Sequence, residues 1–248
     1  MEDIITIAQS TFYRVARLKA LYVILVICVL DVAAMSAYKE LSMGLEKELV
    51  FDCALAISLV VGLITSMVAA FEIPRELREK TAQFILSKPM GRSAFIWGKF
   101  LGVSALAVFN VAFIIVGSLL AYRLSFGETN WGLLSGGILV ASEAVTLTSL
   151  GLLLSIFLTD TLAAIGLFAF FVIGHCVFMI ERWSGGNILG NAAYYLLPNF
   201  YNCDVKTELS HGVDVPGMFV GMGAVYGIAY AFFVTGLAII IFNRKDIA

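Results

Sequence analysis

The sequence predicts an all-α membrane protein with six transmembrane helices in one membrane domain, 1–248. An interfacial helix precedes the first span, a helix on the inner side joins the second and third, and a short outer hairpin precedes the sixth. Three observations predict this. The 248 residues are 60% hydrophobic and only 14% charged, with a mean hydropathy of +0.95, whereas a soluble domain carries about 25% charge. Six segments are long enough to span, at roughly 20 apolar residues each. They are also apolar all round instead of along one stripe. Disorder is excluded by the same hydrophobicity, and a net charge of −2 offers no basic face for nucleic acid.

In chain order, residues 1–19 carry Ile4, Ile7, Ala8, Phe12 and Val15 at helical spacing, with Gln9, Arg14 and Arg17 elsewhere on the wheel. That pattern predicts an amphipathic helix in the inner interface. MEDIITIAQS lacks the basic start and apolar core of a cleaved leader. The spans are expected at 20–38, 50–71, 95–122, 133–158, 161–180 and 217–242. Placing the N-terminus inside puts eleven Lys and Arg on the inner side and five on the outer, as cytoplasmic loops require. Both termini then lie in the cytoplasm.

The largest inner segment is 72–94. Pro74 suits a first helical turn, Glu72 and Glu76 suit a helix N-terminus, and Pro89 with Gly91 stops the helix. Ile73, Leu77, Phe84 and Ile85 share a face, with Arg75, Arg78, Glu79 and Lys80 elsewhere. Such a helix either docks into a soluble partner or caps the bundle. The largest outer segment, 181–216, breaks at Ser184-Gly185-Gly186. It then holds an apolar stretch, Ile188 to Leu197, too short to span, which predicts a re-entrant or interfacial helix with Tyr194, Tyr195 and Tyr201 at headgroup level. Gly98 and Gly102, and Gly132, Gly136 and Gly137, have the small-residue spacing of close helix packing.

Enzyme chemistry finds no footing. There is no GxxxxGK[ST] loop, no HExxH, no CxxC, and the two histidines, His175 and His211, lie far apart. No cofactor or metal signature occurs. Cys28, Cys53 and Cys176 read as small buried hydrophobes and Cys203 as an exposed loop thiol. Ionisable residues within spans mark pathways, so Asp31, Glu143 and His175, with Asn110, are the translocation-path candidates. They would serve a stand-alone secondary transporter or channel. No span contains proline, which counts against the broken helices of such transporters.

Residues 76–102 read ELREKT, then FILSKPMGR, then WGKFLG. This resembles the type-2 ABC exporter permeases, in which a charged, Thr-bearing helix leads into Leu-Ser-x-Pro-x-x-Arg and a Gly-Lys before the third span. The subgroup that acts in multicopper enzyme and nitrous oxide reductase maturation is the most similar. The ending Phe242-Asn-Arg244-Lys245-Asp246-Ile247 and the Leu197-Pro198-Asn199 turn are also similar. The resemblance implies a homodimer in the inner (plasma) membrane, each copy meeting a cytosolic ATPase subunit that binds ATP and Mg. The 72–90 helix would be the coupling helix, with Glu76, Arg78, Glu79 and Lys80 touching the ATPase and Phe84 on the anchoring face.

Overall fold

A computed structural model describes residues 2–17, 46–78, 91–184, 194–210 and 215–244, with the single positions 26, 34, 191 and 213. The described residues are all helical or loop. Their helices are α1 (Glu2–Ala16), α2 (Glu46–Arg78), α3 (Arg92–Phe126), α4 (Gly132–Phe157), α5 (Asp160–His175), α6 (Val177–Ser184), α7 (Lys206–Ser210) and α8 (Gly217–Arg244). Four of them, α2, α3, α4 and α8, are long and apolar enough to cross a bilayer, which marks the chain as membrane-embedded. The expected first span, 20–38, lies outside the described residues apart from two positions.

Helix α4 is the centre of the bundle, packed against α2, α3, α5 and α8. Its most apolar stretch is 72% buried, against 33% for α8, which turns most of its surface outward. Hydroxyls tie the helices together where no water competes. Ser66 of α2 donates to the Ala144 carbonyl of α4 at 2.8 Å, and Thr146 of α4 donates to the Gly227 carbonyl of α8 at 3.0 Å. Small and hydroxyl side chains let helices approach closely enough for such bonds.

The N-terminal helix lies against α3. A Cβ on Gly98 would come within 2.6 Å of Ile7, and one on Gly102 within 2.7 Å of the Ala8 carbonyl. Ile7, Thr11 and Val15 are buried there. The face expected to lie on lipid is therefore the face that packs on protein, and the glycine pair is what admits it.

Two expected boundaries differ. Helix α2 does not stop at the membrane edge with a new helix beginning at Pro74. It runs through Pro74 to Arg78. Proline removes one backbone donor, but the next turn is held from the side, because Ile73 is buried among Phe95, Ile96 and Phe242 and both flanking glutamates are paired. The fifth segment is not one helix but α5 and α6, broken at Cys176, whose N–H bonds back to Val172 and Ile173. The break comes where Phe200 presses on Gly174. A Cβ on Gly174 would sit 2.3 Å from that ring, and the Phe200 N–H donates to the Gly174 carbonyl at 3.1 Å.

Candidate functional site

Four charges meet at the α1 end of the bundle. Lys99, two helical turns inside α3, is 2% exposed, and Glu72 and Glu76 of α2 are 3% and 2% exposed. The two glutamates are four apart, so both face α3. Lys99 Nζ bonds Glu72 at 3.1 Å and also Glu76, and it lies over the Phe95 ring. Arg14 of α1 reaches Glu76 at 2.7 Å and also bonds Glu72. Two cations thus balance two carboxylates, which is the condition for charges to stay buried.

The cluster corrects one expected role. Glu76, assigned to an exposed face toward a soluble partner, is enclosed by Lys99 and Arg14. Continuing α2 through Pro74 turns it inward, whereas a helix starting there would have left its face open. Glu79, Lys80 and Phe84 lie outside the described residues, as does the side chain of Arg78. Arg92, at the start of α3, donates to the Asn243 carbonyl at 3.2 Å, linking that end to the C-terminal turn of α8.

Of the four path candidates, the structure brings two together. Glu143 of α4, 4% exposed, has its Oε1 3.6 Å from Nε2 of His175 at the end of α5. His175 Nδ1 meets the Phe171 carbonyl at 3.1 Å, and its ring is tilted against Phe171 and Phe200. Asn110 serves a different interface, donating to Thr65 of α2 at 3.1 Å. Asp31 lies outside the described residues.

Beside Glu143, at the end opposite α1, the 198–210 segment folds onto the bundle. Cys203 is buried, not an exposed loop thiol, and burial next to Glu143 pushes it up to about 12. Cys176, expected to be buried, is exposed at the α5–α6 break. Tyr195 and Tyr201 are exposed, as headgroup contact requires. Tyr226 and Tyr230 of α8 hold the segment: the Asn199 N–H donates to the Tyr226 hydroxyl at 3.1 Å, and the Tyr230 hydroxyl donates to the Leu196 carbonyl at 2.9 Å. Between segment and helix lies a cavity of about 400 Å³, lined by Tyr194, Asn199, Cys203, Phe219, Met222 and Tyr226 among others.

Residues 53–248 match the family model described as a protein of unknown function, DUF2705. The chain belongs to this DUF2705 family. No curated protein matches it. The DUF2705 match takes in Glu72, Glu76, Lys99, Glu143, His175 and the whole cavity, while Arg14 precedes it. Of the cluster, Glu72, Lys99 and Arg14 are the residues that sequence reasoning left without a site role. A lysine eight residues into an apolar helix was the available signal, because an unpaired ammonium has no place there.

Proposed function

We propose that this DUF2705 chain is the membrane-spanning permease subunit of an ATP-driven ABC exporter. It works in the inner (plasma) membrane with both termini cytoplasmic, dimerises, and couples to a separate cytosolic ATPase that carries ATP and Mg. One observation carries the reading. Residues 72–90, the segment that resembles the family's coupling helix, begin on α2 at Glu72 and Glu76 and lead to α3, where Lys99 binds both glutamates, and the same charges tie the two helices to each other and to α1. A push on that segment would reach three helices as one body. Such a two-state element, biased from outside, is what alternating access needs.

The test is affinity purification of tagged protein in mild detergent, with mass spectrometry and an ATPase assay. A P-loop ATPase should co-purify and be lost in Glu79→Lys/Lys80→Glu. Glu76 is unsuitable for this test, since its replacement disturbs the buried cluster. Purification without an ATPase, or unchanged coupled activity in the double variant, would refute the reading.

A second reading rests on the Glu143–His175 pair, two ionisable groups facing each other within the bundle. It makes the chain a stand-alone secondary transporter or channel driven by an ion or proton. Glu143→Gln separates the two: it should leave ATP-driven transport intact and abolish proton-driven transport.

A further inference from the structure

The cavity beside α8 supports an inference that does not rest on the ATPase reading. Its volume, about 400 Å³, is in the range of small-molecule sites, roughly 300–1,000 Å³. Its polar groups have a definite sense. A hydroxyl donates one hydrogen bond and accepts two. Tyr226 accepts from the backbone N–H of Asn199, and Tyr194 accepts from the Asn199 side-chain amide at 3.1 Å. Both bonds use oxygen lone pairs, so each tyrosine keeps its O–H proton for another partner. The cavity therefore presents two O–H donors placed by one asparagine. None of its described lining residues is charged. Phe219 and Met222 complete the wall and are 44% and 63% exposed on the outward face of α8, where a membrane-embedded helix meets lipid.

Paired donors ask for acceptor oxygens. The uncharged lining disfavours an anion, which would arrive without a counter-charge. A plain hydrocarbon would leave both O–H groups unmatched. We propose that this cavity binds an uncharged, ester-bearing amphiphile from the bilayer, of the diacylglycerol type. Its ester carbonyls accept from Tyr194 and Tyr226, and its chain lies along Phe219 and Met222.

The test uses the purified full chain in phosphatidylcholine nanodiscs, without ATPase or nucleotide, so its outcome is separate from that of the exporter reading. A diazirine-bearing diacylglycerol is photolysed and the adducts are located by mass spectrometry. An alkane diazirine of equal length and a diazirine phosphatidylcholine are run in parallel. Diacylglycerol adducts are expected on the residues lining the cavity. Their yield should fall about fivefold for each hydroxyl removed in Tyr194→Phe and Tyr226→Phe. Met222→Trp, on an exposed position that makes none of these hydrogen bonds, should block the mouth and bring the yield to background. Three results overturn the proposal: no cavity adducts in the parent chain, equal yield from the alkane or the phosphatidylcholine probe, or undiminished yield in the tyrosine variants. If those variants do not fold, Met222→Trp decides, and retained labelling there refutes the site.

Discussion

Lys99→Met removes one of the two cations that balance Glu72 and Glu76 while keeping a side chain of similar length. The loss can be sized from the exposures. Lys99, Glu72 and Glu76 are each 3% exposed or less, whereas the Arg14 side chain is 31% exposed. The variant leaves two buried carboxylates sharing one partly solvated guanidinium. Breaking a buried pair from one side costs about 3–5 kcal/mol, because the orphaned charge keeps its desolvation penalty. In a chain of this size about 1 kcal/mol moves the melting temperature by about 2–4 °C, so a fall of about 10 °C is expected. Arg14→Met should cost less, about 1–2 kcal/mol, since solvent already screens that arm of the cluster.

The assay is the apparent melting temperature in detergent, read as loss of the monodisperse size-exclusion peak at a fixed heating rate, because such unfolding is governed by rate. Lys99→Met/Glu76→Gln restores one cation against one carboxylate and should recover about half of the loss. Groups acting as one network do not add independently. A Lys99→Met variant within 2 °C of the parent (about 1 kcal/mol or less), or strict additivity in the double variant, would refute the claim that these charges are buried and mutually dependent.

Three further outcomes follow from the packing and the burial. Gly102→Val should destabilise by about 1–3 kcal/mol through overpacking and free α1 from α3, read as faster protease cleavage within residues 2–17, because even a Cβ there meets the Ala8 carbonyl at 2.7 Å. With its pKa raised to about 12, the Cys203 thiol stays protonated across the physiological range. Maleimide should therefore label it on the order of a thousandfold more slowly than a free cysteine at pH 8, with the rate rising about tenfold per pH unit; rapid labelling at pH 8 would show that the thiol is open to solvent. In a background lacking the native cysteines, Glu128→Cys in the α3–α4 loop should label from outside the cell and Thr159→Cys in the α4–α5 loop only after permeabilisation. The reverse pattern overturns the proposed orientation.

The long elements were legible because hydropathy is additive along a chain. Expected spans 95–122, 133–158 and 217–242 each fall within a few residues of α3, α4 and α8, and 50–71 lies inside α2, which runs seven residues further. The glycine spacing at 98 and 102 pointed to close packing, and a small-residue pair leaves a visible gap in an otherwise bulky run. Its partner was not visible, because Ile7 and Thr11 lie some ninety residues away in sequence. Pro74 misled for a local reason. Proline suits a first turn, but the turn after it is held by Lys99, a long-range contact that propensity does not contain. The α5–α6 break was missed likewise, since it depends on Phe200 approaching Gly174. Cys203 read as exposed because its loop is polar in sequence, although that loop folds back onto α4.

The buried charges divide by what each end of the bundle has available to neutralise them. At the α1 end, Glu72 and Glu76 sit in the last turns of α2, and Lys99 and Arg14 supply equal opposite charge from two other helices. Such a cluster holds only while three helices keep their relation. Within α4, Glu143 faces His175 at 3.6 Å, a partner that balances a carboxylate only when protonated, with Lys206 and Asp204 also within electrostatic reach. The balanced set suits rigid transmission, because moving it as a unit exposes no net charge. The pair at 143 and 175 has no such balance built in, and at 3.6 Å it makes no hydrogen bond. That difference favours force entering at the α1 end over proton binding within the bundle, and Glu143→Gln tests it, because the amide keeps the side chain's size and removes only the charge.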